Sequence, residues 1–325
     1  MGTAMREVFG RVLQDMAEDE RLVVLDADLG SATKTLMFRD VCPERFIDVG
    51  IAEQDMIGTA AGLASCGMIP VAATFSVFLA GRALDQIRNS IAYPKLNVKL
   101  VGTHAGVSVG YDGASHEAVE DIAVMRALPN MTVLCSSDAV ETEAMVRAAI
   151  AHEGPVYLRI SRIGTADYHA PDYEFVIGRG EVVTDGSDCT VVATGIMVEQ
   201  AMIAARELAQ EGIRIRVVNM PSIKPIDRAL LVASARATGA VVTAEEHNII
   251  GGLGSAVAEV LAEEYPVVMR YVGIKDRFGT SGDPNVLLEA YGLRAAHIAA
   301  AVKEAIAQLE FNGKDVPSVL ICKQK

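Results

Sequence analysis

The sequence contains no tryptophan, and aromatic residues make up only 5% of the chain. An interior with so few rings has to be filled by aliphatic side chains, and 51% of the residues are hydrophobic. That composition suits buried parallel strands covered by alanine-rich helices. With 22% charged residues the chain lies far from the disordered class, and its 325 residues are enough for two ordinary domains.

The chain also lacks any block of basic residues. Its 42 acidic side chains outnumber 29 lysines and arginines, which leaves a net charge of −13. Binding to nucleic acid or to an anionic membrane needs concentrated positive charge, so we expect neither as a partner. An anionic ligand would have to meet a local cluster of Arg, His or backbone N–H groups.

Two further absences bound the cellular context. The five cysteines are scattered and form no Cys-x-x-Cys pair, which argues against a disulfide framework and a zinc knuckle. Residues 1–7 lack the pattern of a signal peptide, and no apolar run approaches the length of a membrane span. We therefore expect a cytoplasmic protein.

What the sequence does contain is a regular alternation of short apolar runs and helical patterns. This alternation predicts an α/β fold with largely parallel sheets flanked by helices. Residues 164–187 have weak periodicity and read as a linker between two such units. The predicted strands are 22–28, 45–49, 70–74, 98–102, 132–135, 156–160, 189–193, 213–219, 240–244 and 267–272. Predicted helices include 5–17, 52–65, 139–152, 197–211, 227–237, 252–264, 285–291 and 294–309, with another helix continuing from the third strand through residue 91.

Polar residues gather where the strands of the first unit end. Four clusters follow apolar runs: Asp26 with Asp28, residues 50–54, residues 74–78, and residues 102–104. In open α/β sheets, ligands bind outside the carboxyl ends of the strands. Asp28 taken alone reads as a helix cap. Several polar groups at matching positions instead predict a binding site.

The loop at residues 103–117 contains two histidines, an aspartate and three glycines. Glycine allows left-handed or close-approach backbone, and long ordered loops inside compact domains are usually functional. The spacing of His104, Asp112 and His116 fits no familiar zinc pattern. We therefore expect a substrate or cofactor loop without a metal.

The order and spacing of these blocks resemble the transketolase superfamily of thiamine-diphosphate enzymes, over residues 1 to about 310. The matching blocks are Asp48-Val49-Gly50-Ile51-Ala52-Glu53-Gln54, Thr74-Phe75, Thr103-His104, Gly110-x-Asp112-Gly113-x-x-His116, Gly251-Gly252-Leu253-Gly254-Ser255 and Asp283-Pro284. The resemblance implies a pyrimidine-binding domain at 1–165, a linker at 166–187, a transketolase C-terminal domain at 188–312 and a tail at 313–325.

The resemblance assigns a cofactor role to several residues. Glu53 looks like the glutamate that hydrogen-bonds N1′ of the aminopyrimidine, and an apolar enclosure would keep its carboxyl protonated or sharing a proton. Phe75 and Phe78 match residues that pack on that ring. Asp28 and Ile51 are assigned to the same cofactor. Where the family often has a third aromatic, this chain has Gly81, so Arg82 is expected to take part of the space.

Substrate roles follow in the same way. His104 and His116 resemble histidines that hydrogen-bond the donor's hydroxyls and assist proton transfers, and Asp112 resembles a carboxylate that recognises a sugar hydroxyl. Arg6 and Arg162 match residues that grip the substrate phosphate, to which the fixed fork of arginine donors is suited. A phosphate-contacting serine of the family corresponds to Ser31 or Thr33.

A full-length transketolase holds the diphosphate and Mg²⁺ through a Gly-Asp-Gly motif and a downstream Asn, and no Gly-Asp-Gly occurs in this sequence. The resemblance therefore implies a separate N-terminal subunit that supplies this half of the site, in an α2β2 heterotetramer. It implies shared thiamine diphosphate, no metal ligand in this chain, and transfer of a two-carbon ketol unit from a ketose phosphate to an aldose.

Three alternatives stay open. The β subunit of a 2-oxoacid dehydrogenase E1 component is also a separate chain with a Glu and an aromatic segment, but it normally lacks the His104 to His116 loop. A deoxyxylulose-phosphate synthase is similar at Ala52-Glu53-Gln54. A catalytically silent regulatory subunit would keep the fold and lose the site residues.

Overall fold

The structure is a computed structural model that describes residues 2–314, with the side chains of residues 2–311. In this part of the chain the strands form one sheet of seven and one sheet of five. The strands are β1 (Leu22–Asp26), β2 (Phe46–Asp48), β3 (Ile69–Phe75), β4 (Lys99–Thr103), β5 (Thr132–Cys135), β6 (Val156–Ile160), β7 (Glu181–Thr184), β8 (Cys189–Ala193), β9 (Ile215–Asn219), β10 (Ser222–Lys224), β11 (Ala240–Asn248) and β12 (Val268–Ile274).

Helices flank both sheets. They are α1 (Met5–Asp15), α2 (Gly30–Thr33), α3 (Leu36–Val41), α4 (Glu53–Ser65), α5 (Leu84–Gln86), α6 (Asp121–Ala127), α7 (Ala139–Ala151), α8 (Met197–Gln210), α9 (Arg228–Thr238), α10 (Leu253–Glu264), α11 (Pro284–Ala290) and α12 (Ala295–Lys314). Short 3₁₀ turns cover Pro43–Arg45 and Val107–Val109. Among the described residues, no helix combines the length and apolar character needed to cross a membrane; the cytoplasmic location stays a prediction.

The strand order is β10-β5-β6-β4-β3-β1-β2 in the first sheet and β12-β11-β8-β9-β7 in the second. Every pairing is parallel except those of β10 with β5 and of β7 with β9. The five central strands of the first sheet are buried at every position, because helices cover both of its faces. The predicted α/β fold with largely parallel sheets is confirmed.

Register brings the strand ends of the first sheet to one edge. Phe75, at the end of β3, lies beside Thr103, at the end of β4. On the other side of β3, Asp26 ends β1 opposite Ala73, and Asp48 ends β2 opposite Asp26. Residues that directly follow these strands therefore start from adjacent positions at one edge of the sheet.

Two strands depart from the predicted organisation. Strand β10 follows β9 of the second sheet but pairs antiparallel with β5, so it covers an edge of the first sheet. Strand β7 lies inside the predicted linker and forms an edge of the second sheet. Both are short edge strands, of three and four residues. Each pairs with a neighbouring strand whose backbone donors and acceptors would otherwise lie unpaired at the edge of the sheet.

The predicted helix through residue 91 is interrupted. Residues Phe78–Arg82 and Ile87–Ala92 form π-helical turns on either side of α5. Such turns accommodate an extra residue within a helix and occur frequently at functional sites. Of the predicted tail, residues 313 and 314 extend α12, and the remainder lies outside the described residues.

A buried cluster of ionisable groups fastens the predicted linker to both sheets. Nδ1 of His169 lies 2.8 Å from Oδ2 of Asp138, the N-cap of α7, and Nε2 contacts the carboxylate of Glu181 in β7. With both ring nitrogens facing carboxylates, the ring is held as a cation. These hydrogen bonds and the nearby charge of Glu141 outweigh burial and raise the pKa of His169 to about 9.

One atom each from Glu141, His169 and Glu181 lie within 4.8 Å of one another, a spacing that could also hold a metal ion. However, Nδ1 of His169 already faces Asp138, and Oε1 of Glu141 accepts a hydrogen bond of 2.7 Å from the side chain of Asn219. These side chains therefore hydrogen-bond to one another and to Asn219 through the atoms that a metal ion would need. The expectation of no metal ligand in this chain stays a prediction.

Protonated His169 should make stability depend on pH above neutrality. Its pKa rises from 6.5 in the unfolded chain to about 9 in the folded one, so the stabilisation is fully present below pH 6.5 and is lost as pH rises through about 9. We expect a His169→Gln variant to lack this loss, which is on the order of 3 kcal/mol in the wild type.

Urea unfolding between neutral and alkaline pH measures this difference. His297→Gln is the matched control, because the His297 side chain is 40% exposed. Parallel pH dependence of the wild type and the His169→Gln variant would contradict the assignment.

Candidate active site

Glu53 is the first residue of α4 and its side chain is only 1% exposed. Its Oε2 accepts a hydrogen bond of 2.6 Å from Nη1 of Arg82, the last residue of the first π-helical turn. The sequence predicted an apolar enclosure for this carboxyl. The structure differs, because a guanidinium takes part in the enclosure and compensates the buried charge.

Two phenylalanines and two histidines form an aromatic cluster that Arg82 connects to this acid, since its guanidinium carbon lies 4.6 Å from the ring centroid of Phe78. The rings of Phe75 and Phe78 are near-parallel, with centroids 5.9 Å apart. His104 stacks on Phe75 at 4.0 Å, and His116 meets Phe78 edge-on at 5.2 Å. The ends of β3 and β4 therefore bring Phe75 and His104, which belong to two separate predicted clusters, into contact with each other.

His104 has a strained backbone and a deeply buried ring. Its φ is +55°, in the left-handed region that side chains other than glycine seldom adopt. Nδ1 lies 2.9 Å from the hydroxyl of Thr103, while Nε2 lies 3.5 Å from a guanidinium nitrogen of Arg6. Burial, followed by the charges of Arg6 and Arg162, lowers the pKa of His104 to about 3. The ring is therefore neutral and can both donate and accept a hydrogen bond.

The rest of the loop carries the predicted polar groups outward. Asp112 is exposed, and its carboxylate lies 3.6 Å from Arg162, which also donates to the carbonyl of Val109. His116 is half-buried, and its Nδ1 contacts the hydroxyl of Ser115 at 2.9 Å.

Arg6 reaches this region from α1. It donates to the carbonyl of Ala32 at 3.0 Å, while its buried Nε has no partner among the described residues. Burial, and secondly the charge of Arg162, lower the pKa of Arg6. Two guanidinium groups held close in this way form a site suited to an anion.

The remaining predicted residues differ in whether their side chains are free to contact a ligand. The hydroxyl of Thr33 is committed to Asp26 at 2.8 Å, whereas Ser31 is exposed on α2. Asp28 is exposed with φ +61°, and its N–H donates to Asp48. The N-cap of α2 is Leu29, so Asp28 does not cap that helix. Ile51 is 77% exposed, two residues before the buried Glu53.

Sequence reasoning missed Glu246, which comes from the second sheet and supports the loop. Its carboxylate accepts a hydrogen bond of 2.6 Å from the N–H of Ser108 and lies against Gly106, where a Cβ would come within 2.3 Å of it. Gly106 has φ +77°, so both conformation and space require glycine. The signal in the sequence was Glu245-Glu246-His247 at the end of a buried strand.

A second missed contact joins the end of the loop to both sheets. Nε of Arg159 on β6 donates to Asp121 at 2.9 Å, and Nη2 donates to the carbonyl of Glu246 at 2.8 Å. Burial, with the charge of Glu246 next, raises the pKa of Glu117 to about 7 in the same region. The charged groups under the loop are therefore removed from water, and the charge of one affects the pKa of its neighbours.

The glycine-rich block that matched the family has a structural explanation here. The carboxylate of Glu245 accepts hydrogen bonds of 2.7 and 2.8 Å from the N–H groups of Leu253 and Gly254, at the start of α10. A Cβ at Gly252 would lie 2.0 Å from that carboxylate. Asp283 similarly caps α11 through the N–H of Asn285 at 2.9 Å. Both sequence blocks therefore stabilise the first turn of a helix.

The arrangement is suited to a flat heterocycle with a hydrogen-bonding edge. A Cβ added at exposed Gly81 would meet nothing within 4 Å, so the chain places no side chain there. Arg82 lies between the buried acid and the ring of Phe78. Aromatic faces favour offset contact with another ring. The neutral His104, His116 and the two arginines border the region where a polar, anionic substrate could lie.

Two protein families match the chain. Residues 1–166 match the pyrimidine-binding domain of transketolase, and residues 178–298 match the transketolase C-terminal domain. The domain boundaries drawn from the sequence stay predictions.

Individual relatives match nearly the whole chain. A "Putative transketolase C-terminal section" from Methanocaldococcus jannaschii is 47% identical over 304 residues, covering 92% of this chain and 95% of the relative. A 6-deoxy-6-sulfo-D-fructose transketolase subunit from Clostridium sp. is 42% identical, covering 94% and 96%. A solved structure described as "Split gene transketolase, inactive beta4 tetramer" is 54% identical with a TM-score of 0.87, covering 94% of this chain and 99% of that one.

The environment of His104 predicts an unusual titration. Because burial and two nearby guanidinium groups disfavour the imidazolium, its ring should stay neutral while the pH falls from about 8 to about 4. NMR of ¹⁵N-histidine-labelled protein, with the signal assigned through His104→Gln, measures this. A midpoint near the ordinary value of 6.5 would contradict the described environment.

Proposed function

Since this chain belongs to the transketolase family, we propose that it is the C-terminal subunit of a thiamine-diphosphate-dependent transketolase that acts with a separate N-terminal subunit. The proposed reaction moves a two-carbon ketol unit from a ketose phosphate to an aldose acceptor. The observation that supports it most is the cluster of Phe75, Phe78, His104 and His116, which Arg82 connects to the buried carboxyl of Glu53.

Thiamine diphosphate, when bound, supplies a nucleophilic carbon and an electron sink for cleavage of a carbon–carbon bond. Glu53 would hold the N1′ edge of its aminopyrimidine by a hydrogen bond from a site closed to water. Phe75 and Phe78 would pack on the ring and exclude solvent. Asp28 and Ile51 lie near the start of α4, where they would contact the cofactor from the exposed side.

The substrate roles follow from the same geometry. Neutral His104 can hydrogen-bond a donor hydroxyl through Nε2 and accept or return a proton at that atom, and His116 and Asp112 would hold further hydroxyls. Arg6 and Arg162 would grip the phosphate, with Ser31 on the adjacent turn. The unpartnered Nε of Arg6 favours this, because a buried donor without an acceptor is costly.

The absence of a Gly-Asp-Gly motif supports the need for a partner. We propose that an N-terminal subunit binds Mg²⁺ and the diphosphate, and that the active site lies between subunits of an α2β2 heterotetramer. The similarity to a structure described as an inactive beta4 tetramer of a split gene transketolase is consistent with this proposal. One relative is named for a sulfonated ketose, 6-deoxy-6-sulfo-D-fructose.

Reconstitution tests the proposed function. The chain is mixed with the N-terminal transketolase subunit of the same organism, thiamine diphosphate, Mg²⁺, a ketose phosphate or 6-deoxy-6-sulfo-D-fructose, and an aldose phosphate. We expect ketol transfer by the mixture and none by either chain alone. Decarboxylation of a 2-oxoacid instead would indicate an E1-type or synthase-type enzyme, and turnover by this chain alone would refute the shared site.

Glu53→Gln in that mixture should lower kcat by about 10²- to 10⁴-fold, because the carboxyl can no longer exchange a proton with the ring. The variant keeps the size of the side chain, and its circular dichroism should match that of the wild type. Turnover close to the wild-type rate would remove Glu53 from its proposed role.

His116→Ala should raise KM for the donor by about tenfold, the effect of losing one hydrogen bond of average strength. The affinity of the same complex for thiamine diphosphate, measured by calorimetry, should change little, because His116 meets the ring of Phe78 edge-on and leaves the proposed contacts of Glu53 intact. Unchanged donor kinetics with weakened cofactor binding would reverse the assignment.

A further inference from the structure

Arg82 occupies the contacts that the proposed cofactor ring would need. Its Nη1 donates to Oε2 of Glu53 at 2.6 Å, and its guanidinium carbon lies 4.6 Å from the ring centroid of Phe78. The first contact is to the acid and the second is to an aromatic wall of the candidate site. A planar ring cannot take both positions while the guanidinium stays there.

The chain holds the backbone of Arg82 in place but leaves its side chain partly exposed to solvent. The side-chain nitrogen of Gln54 donates to the carbonyl of Arg82 at 3.0 Å, which ties the end of the π-helical turn to the start of α4. The side chain itself is 45% exposed. A guanidinium with that much access to water can exchange its contact with Glu53 for hydration without unfolding the turn.

The pairing has a clear physical reason when no cofactor is bound. Glu53 is 1% exposed, and among the described residues Arg82 is the cation paired with it. A buried carboxylate without a partner is strongly unfavourable, whereas a hydrogen-bonded guanidinium compensates much of that penalty. Contact of the guanidinium with the face of Phe78 adds a cation–π attraction.

We propose that Arg82 is a displaceable cap over Glu53, which neutralises the acid in the free subunit and has to swing outward before an aminopyrimidine ring can bind. This inference rests on the proposed function, because it takes the ring of thiamine diphosphate as the competing ligand. The Oε2 lone pair that accepts from Arg82 is not free for an N–H of the ring. The cap therefore lowers cofactor affinity and protects the empty site.

Cofactor binding to the reconstituted complex tests the competition. Arg82→Met keeps an unbranched apolar side chain against Phe78 but removes the charge. Because one charge-assisted hydrogen bond no longer has to be broken, calorimetric titration with thiamine diphosphate at fixed Mg²⁺ should give an affinity about 3- to 10-fold higher than for the wild type. Arg88→Met is the matched control, since Arg88 is exposed in the same segment and, among the residues that the structure describes, its side chain donates only to the neighbouring Asn89.

Unchanged or weaker binding by the Arg82→Met complex would overturn the cap. Failure of the wild-type complex to bind thiamine diphosphate would instead refute the proposed function, and with it the competition. The two failures are therefore distinguishable in one experiment.

Unfolding of the subunit alone tests the pairing without any cofactor. In a double-mutant cycle of Arg82→Met and Glu53→Gln, the Arg82 change should raise the equilibrium constant for unfolding by about fivefold more when residue 53 is glutamate than when it is glutamine. Additive effects in urea unfolding would show that no energetic pairing exists and would overturn the protective half of the proposal.

Discussion

The ion pair of Arg159 and Asp121 is the contact on which the geometry of the candidate site depends. Their side chains are 5% and 0% exposed, so neither charge has access to water that would replace its partner. Breaking a buried pair typically costs about 3–5 kcal/mol. Because Arg159 also donates to the carbonyls of Ala118 and Glu246, one guanidinium holds both the end of the histidine loop and strand β11.

The second sheet therefore takes part in shaping a site that the first sheet supplies. With β11 held by Arg159, the carboxylate of Glu246 is presented to the N–H and hydroxyl of Ser108. The loop leaves β4 through His104, whose positive φ turns the chain, and returns at Ala118. Both ends of the loop are therefore held in place, and functional side chains on a loop need such support to keep a fixed orientation.

How much of this was predictable depends on the range of the interactions. Periodicity predicted the parallel strands, and the convergence of Glu53, Phe75 and His104 followed because adjacent parallel strands end at one edge. The Arg82 contact was not predictable beyond its approximate position, since a π-helical turn sets which side chain faces Glu53. Glu246 lies 138 residues from Ser108, and no local pattern encodes such a pairing. The linker showed weak periodicity because charged contacts around His169, rather than an apolar stripe, hold it.

The balance of charge at the site argues for an anionic substrate in an otherwise acidic chain. A net charge of −13 repels phosphates at long range, yet Arg6 and Arg162 are close enough for the charge of Arg162 to lower the pKa of Arg6. Two like charges near each other are unfavourable unless an anion lies between them. The half-exposed carboxylate of Asp112 lies 3.6 Å from a guanidinium nitrogen of Arg162 and compensates the charge of that residue. Nε of Arg6 has no acceptor among the described residues. A bound phosphate would satisfy both guanidinium groups at once, so the unpaired donor and the mutual repulsion favour the same ligand.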